Sequence, residues 1–384
     1  MRNQTILIFC LLVFITCTPS QRITKTQTTS ISELKFLGEY DVPNGKQFKE
    51  TTIGGLSGID YDEKRDVYYL ISDDRSAIDP ARFYTVKIHV KESGIDSVEF
   101  VDVKSLLQKD GKVYPNSKQN PLHTPDPEDI RYNPIKDEII WSSEGERIVK
   151  PGNVVLEDLG VITGVITIDR NGNYKDSFEL PVNMHMHATE NGPRQNSVFE
   201  GISFSDDRKD LFVSVEEPIY EDGPRAGVKD STAWIRIIKF NAETKKPVAQ
   251  FAYQIEPVAY PAIPQGAYRI NGVSDILWIE ENKLIIVERS FSTGRLSCTV
   301  RVFLANMNEA TNIADINSLQ SQPANPVSKK LLLNMDDLGR YIDNVEGVTL
   351  GPTLPNGHRT LIFVSDNNFS PLERTQFLLF EIIP

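Results

Sequence analysis

Acidic residues recur at matching places along this chain. Asp73 and Asp74, Glu144, Glu216 and Glu217, Glu288 and Asp366 each follow a run of aliphatic and aromatic residues, while Glu128, Glu200 and Glu346 each precede one. Carboxylates crowded together cannot all stay ionised without compensation. Three remedies exist: bound divalent cations, nearby arginines, or carboxyls that keep their protons. Hard cations such as Ca2+ take several carboxylate and carbonyl oxygens, and arginine pairs carboxylates bidentately. Arg75, Arg147 and Arg289 follow the terminal acids closely, and Arg194 precedes the third set. One rim would then offer both cation ligands and anion-binding groups, which suits a phosphate ester held through metal and arginine. The same acids also have a purely structural use, as acceptors for the backbone of a neighbouring unit, and the arginines as their salt-bridge partners.

The spacing of the acids follows a repeat. Five segments align, beginning near Leu56, Pro127, Phe199, Val273 and Val345, with Gly58, Asp129, Gly201, Asp275 and Gly347 in the same slot. The intervals are 71, 72, 74 and 72 residues. Each segment reads as a β-hairpin: an alternating strand, a polar turn such as DEKRD or NPIKD, then a second strand rich in Val, Ile, Leu, Tyr and Phe. Further strand-like runs lie between, among them RFYTVKIHV, WIRIIKF and FLLFEII, and no long amphipathic helix is evident. Regular β-units of this kind predict an all-β protein, a β-propeller. The count gives five blades, with six as the alternative, and the two chain ends are expected to share the closing blade. Polar stretches from Lys104 to Thr124 and from Asn306 to Val327 read as insertions. In a hairpin the start of the first strand lies beside the end of the second. If the hairpins are the inner strands, Glu128 and Asp129 then face Glu144, Glu200 faces Glu216 and Glu217, Asp275 faces Glu288, and Glu346 faces Asp366, all at one mouth of the channel.

The formal net charge is -12, and no long basic run offsets it. That argues against nucleic acid or an anionic membrane surface as partner. Arg2 and the apolar run Thr5–Ile15 read as a signal peptide, too short to span a bilayer comfortably. Cys17 stands where a lipoprotein carries its acylated cysteine, although Phe14-Ile15-Thr16 is a poor match to the usual preceding residues. Residues 1–25 are therefore set apart as a signal peptide, with a lipoprotein signal as the alternative to plain cleavage, and 26–384 as one domain. The expected location is outside the cytoplasm, periplasmic or at the outer membrane and cell surface, with membrane contact only through a lipid at Cys17. The domain is expected to be a monomer. After processing, Cys298 has no intramolecular partner, and its place in LSCTVRVF reads as a buried inert thiol. No Gly-x-Ser-x-Gly elbow is present, which disfavours an α/β-type hydrolase. His185 and His187 form a half-site for a transition metal without a third ligand, and read as loop residues.

At the repeated segments the chain resembles the phytase-like family, named for an esterase-like activity of phytase. The matching pieces are GGLSGIDYD from Gly54, SDDR from Ser72, PDPEDIRYNP from Pro125 and GPRQNSVFEGISF from Gly192. NGVSDILWI from Asn271, LIIVERS from Leu284 and NVEGVTLGPTLPNGHRTLIFVSDNNF from Asn344 complete them. The resemblance runs from about residue 50 to the C-terminus. It implies an exported β-propeller hydrolysing esters, with calcium-dependent propeller phytases as a distant relation. The matching polar positions are Asp73, Asp74, Arg75, Glu128, Glu144, Arg194 and Asn196, then Glu200, Glu216, Glu288, Arg289, Glu346, Asp366 and Asn367. The lysine-rich surface expected of a true phytase is not evident, which puts phytate itself in doubt.

The expected activity is metal-assisted hydrolysis of a small phosphate or carboxylic ester at the acidic rim. Asp73, Asp74, Glu128, Glu144, Glu200, Glu288, Glu346 and Asp366 are the candidate ligands of Ca2+. Glu216 or Glu217 is the candidate base, and Arg194 or Arg289 the stabiliser of negative charge in the transition state. The alternative is a propeller without catalysis that binds a protein or glycan. Aromatic residues gathered on one rim would favour it, with Tyr220, Trp234 and Tyr260 as candidates.

Overall fold

Strand runs buried on both faces explain the long apolar stretches of this sequence. In the computed structural model, which describes residues 31–156, 164–229, 232–321, 323 and 325–384, Val67–Ser72 and Thr360–Asp366 are buried at every position. Successive side chains of a strand point to opposite faces. Ile139 and Trp141 accordingly pack against Tyr69, Ile71 and Phe83, whereas Ile140 packs the other way, against Val213 and Ile238. The apolar core is thus divided into clusters, each sandwiched between neighbouring sheets.

There are five four-stranded antiparallel sheets. Blade 1 runs outward from Leu56–Asp62 through Val67–Ser72 and Arg82–Lys91 to Gly94–Ser105. Blade 2 begins at Pro127–Asn133, blade 3 at Phe199–Phe204, blade 4 at Arg269–Glu280 and blade 5 at Asn344–Gly351. These first strands touch one another in turn around the ring, so they are the innermost. No sixth blade exists among the described residues, and the two polar stretches are insertions, as expected. The second of them drops Ile313 and Leu319 onto Trp234. Blade 5 takes its outer strand, Glu33–Val42, from the other end of the chain, where it pairs with Thr375–Ile383. Both ends of the domain therefore close the ring in one sheet. Arg2, the Thr5–Ile15 run and Cys17 lie outside the described residues.

The inner strands are tied together at the axis by a buried polar hub. Arg131 of blade 2 donates to Asp129 Oδ1 at 2.7 Å and to both oxygens of Asp275 in blade 4, at 2.7 and 2.9 Å. The same two terminal nitrogens also reach the carbonyls of Ile59, Ile276 and Val348, while Nε has no hydrogen-bond partner. The aspartates complete the ring: Asp129 accepts the Ile202 N–H, and Asp275 accepts the Val348 N–H. Every blade thus contributes a group. Asp129 and Asp275 stand in the slot where the other blades carry Gly58, Gly201 and Gly347, and the glycines are required there. A Cβ on Gly58 would sit 2.6 Å from the Cα of Asp129, and one on Gly201 would sit 2.6 Å from the Cα of Asp275. The repeat's glycine and aspartate positions thus alternate between close approach and charge.

Removing Arg131 leaves two carboxylates buried without a counter-charge, a change that costs about 3–5 kcal/mol in other buried ion networks. Chemical denaturation of Arg131→Met is expected to show a loss of that size. A loss below about 1 kcal/mol, the level of an exposed ion pair, would mean the hub does not hold the ring.

Candidate metal centre and its cavity

One irregularity recurs in all five blades. The pairing of first and second strands slips between Leu56 and Gly58, Pro127 and Ile130, Phe199 and Ile202, Val273 and Asp275, and Val345 and Gly347. A bulge leaves a residue unpaired and re-aims its side chain. Ser57, Glu128, Glu200, Ser274 and Glu346 stand at these bulges. The three glutamates line a cavity of about 880 Å3, within the usual size of a ligand site. Ser274 instead bonds the Val345 carbonyl of the next blade.

A second row comes from the ends of the second strands. Ile59 pairs with Leu70, Ile130 with Trp141, Ile202 with Val213, Ile276 with Ile286 and Val348 with Phe363. Three residues beyond each partner stand Asp73, Glu144, Glu216, Arg289 and Asp366. Blade 4 therefore carries an arginine where the others carry an acid. Arg289 donates to Glu216 Oε1 at 3.1 Å and to Glu346 Oε1 at 3.3 Å. Gly272 makes room for this pair, since a Cβ there would lie 2.6 Å from Glu216 Cγ. Asp73, Glu144, Glu216 and Arg289 all line the cavity. Buried Asp366 gives Oδ1 to the Asn368 N–H, and its Oδ2 has no hydrogen-bond partner.

Two trios bring one oxygen each within 4.8 Å of the others: Asp126, Glu128 and Glu144, and Glu144, Glu200 and Glu216. Glu144 belongs to both. An all-carboxylate donor set with an orphaned oxygen close by fits a hard cation such as Ca2+. Burial, with Asp126 next in effect, pushes the Glu144 carboxyl up to about 8. Burial pushes Asp126 up to about 6, against the pull of Arg75. Glu128, Glu200, Glu216, Asp73 and Asp366 are raised well above the carboxylate range, by burial first and then by one another or by Glu346.

A family model for the esterase-like activity of phytase matches residues 51–369. The chain belongs to the phytase-like family. No curated protein matches it. Among solved structures it is similar to hydrazine synthase from Kuenenia stuttgartiensis, at 10% identity and TM-score 0.37 over 84% of this chain and 81% of that one. It is similar to an exo-beta-1,3-galactanase from Phanerochaete chrysosporium, at 12% and 0.45 over 90% and 65%. It is also similar to a gluconolactonase from Xanthomonas campestris, at 10% and 0.33 over 92% and 99%. Likenesses this distant say nothing about what the phytase-like chain acts on.

Several residues expected at the rim stand elsewhere. Glu288 belongs to the interior of blade 4: it accepts from Tyr253, Lys329, Asn271 and the Glu256 N–H. One position before Arg289 on the strand, it points to the opposite face. Asp74 is occupied by Arg82 at 2.8 Å and by the N–H groups of Ala77, Ile78 and Asp79, so it staples its own loop. Glu217 is held by Arg225 and Ser197, both at 2.6 Å. Arg194 donates to the carbonyls of Pro218 and Gly223 and lies over Tyr220. None of these four lines the cavity. Asp275 joins the hub instead of facing Glu288. Trp234 is core, and Tyr220 lies beneath Arg147 and Arg194, which leaves Tyr260 as the exposed aromatic of the three. His185 and His187 belong to neither trio. Cys298 is buried beside the cavity, and burial pushes its thiol up to about 12. Asp126 was not singled out from the sequence, although its i, i+2 spacing to Glu128 on an extended segment was the available signal.

The raised carboxyls bind more protons folded than unfolded from the ordinary carboxylate range up to about pH 8. Stability of the metal-free protein therefore falls as pH rises through that window. Melting in EDTA is expected to occur at lower temperature at about pH 8 than at about pH 5.5; the reverse order would show the acids to be ionised and compensated. Glu288→Gln is expected to cost about 1–3 kcal/mol, as for a lost buried charged partner, while leaving cation binding by calorimetry unchanged.

Proposed function

We propose that this protein is a metal-assisted hydrolase of ester bonds, phosphoric or carboxylic, working in the acidic cavity. The observation that carries the reading is the convergence of carboxylates from different blades on one cavity, with Glu144 shared by two trios. Asp74 and Glu288 are enclosed by donors, whereas the cavity acids are matched only in part: Arg289 serves Glu216 and Glu346, and the Val198 N–H serves Glu144. Asp126, Glu128, Glu144 and Glu200 would hold calcium, with Asp73 and Glu346 around them, which leaves Glu216 free for another role. A bound calcium ion would supply Lewis acidity to an ester oxygen and lower the pKa of a coordinated water.

The chain's own groups divide the remaining work. Glu216 and Glu346 are the cavity acids that Arg289 favours in ionised form, which makes Glu216 the candidate proton acceptor. Arg289 also stands at the cavity wall, where positive charge would favour negative charge developing on the substrate. Phe291, Leu296 and Cys298 keep one wall apolar.

Calcium titration by calorimetry, paired with a screen of phosphate and carboxylic esters at each calcium level, tests the reading. Stoichiometric binding and calcium-dependent turnover are expected, and Glu144→Gln is expected to weaken both by at least about tenfold, as loss of a charged ligand does. Absence of both binding and turnover would turn the reading to a propeller that binds a partner.

A further inference from the structure

The cavity is lopsided. Most of its acids come from blades 1 to 3 and from the bulge of blade 5, while the loops of blades 4 and 5 add Arg295, Leu296, Leu372 and Arg374 together with the acids Asp343 and Glu373. On blade 4, Arg295 and Leu296 follow Gly294, which takes φ +92°. The Arg295 guanidinium lies 3.6 Å from the centroid of the Tyr260 ring. It makes no ion pair among the described residues, and its buried Nε has no hydrogen-bond partner. Arg289, by contrast, is committed to Glu216 and Glu346, and Arg374 reaches Asp41. Arg295 is thus a cation fixed in place by stacking and left without a counter-ion at the mouth of an acidic cavity.

Beside it the wall is apolar. Leu296 is 92% exposed and Leu372, on the neighbouring loop of blade 5, is 87% exposed, and both line the cavity. Phe291 and Tyr341 line the same side. Two nearly bare leucines on adjacent loops of one cavity gain nothing from folding. They gain when an apolar group of a ligand covers them.

We infer that the cavity takes an amphiphilic ester, with an anionic head near Arg295 and an alkyl or aryl group against Leu296 and Leu372. The inference rests on the hydrolase reading for the word ester, and it names the class of substrate. It sets the site apart from one built for a polyanion. Such a ligand needs cations on all sides, whereas among the described lining residues Arg295 is the arginine without an ion pair, and it shares its side of the cavity with Leu296, Leu372 and the acids Asp343 and Glu373.

Binding tests this without any turnover. Hexylphosphonic and methylphosphonic acids are titrated into the full chain by calorimetry, with calcium present and with EDTA. Hexylphosphonate is expected to bind at least about tenfold more tightly than methylphosphonate, the gain from burying a few methylenes. In Leu296→Ser/Leu372→Ser that ratio is expected to fall below about threefold, consistent with loss of most of the apolar contact. Arg295→Gln is expected to weaken both ligands alike. The leucines are exposed, so unchanged melting confirms that the variant is folded. Equal affinity for the two phosphonates, or binding of neither, overturns the inference. A ratio that survives in the double variant overturns the role of the leucines. A protein that binds hexylphosphonate selectively yet hydrolyses no ester would refute the hydrolase reading and leave this one standing.

Discussion

Arg131, clamped between Asp129 and Asp275 at the axis, is the contact on which the rest of the molecule depends. Burying three charges is expensive, and their mutual attraction repays it only if the remaining hydrogen-bonding capacity is also used. Here the carbonyls of blades 1, 4 and 5 and the N–H groups of blades 3 and 5 use much of it. The hub therefore fixes the angular position of each inner strand. A second cavity, lined by Asp60, Trp278, Arg359 and Arg131 itself, belongs to the hub and not to the acids. The acidic cavity does not include Arg131, so its charge is left for its own residues to balance.

Above that floor the construction is additive. Each blade contributes one bulge residue and one strand-end residue, and the bulge aims the first while strand pairing aims the second. The acids are set by backbone geometry that is itself locked by apolar packing between blades. Crowded carboxylates oppose folding when ionised, and the interblade clusters supply the stability that tolerates them. The upward push that burial and Asp126 exert on the Glu144 carboxyl follows from that opposition. Where blade 4 substitutes Arg289, two acids gain a permanent counter-charge, and the site acquires a polar axis from arginine to carboxylate.

Much of this was legible in the sequence. The 71 to 74 residue interval gives the blade count, and the leftover lengths at the two ends give the shared closing blade. The matched positions of Glu128, Glu200 and Glu346 point to one mouth because a repeat places equivalent residues equivalently. What escaped was parity. Glu288 ends its strand run as the other acids do, yet it stands one position short of their slot, and alternation along the strand turns it inward. Asp74 was hidden for another reason: its capture by Arg82 and three N–H groups depends on a local loop whose conformation no periodicity reveals. Glu217 and Arg194 lie past the strand ends, where register no longer dictates direction.

The fourth hairpin shows how length is translated into charge. Ile59 and its partner Leu70 are 11 residues apart, whereas Ile276 and Ile286 are 10 apart. The turn is two residues shorter, Glu280 pairing with Lys283 where Asp62 pairs with Val67, and a bulge between Trp278 and Glu280 restores one of them. Because a strand alternates faces, this register puts Arg289 and not Glu288 at the rim, which receives a cation where the other blades supply an anion. Charge at the mouth is thus set by register as much as by composition: the strand end of blade 4 holds an anion and a cation side by side, and pairing decides which of them the cavity meets.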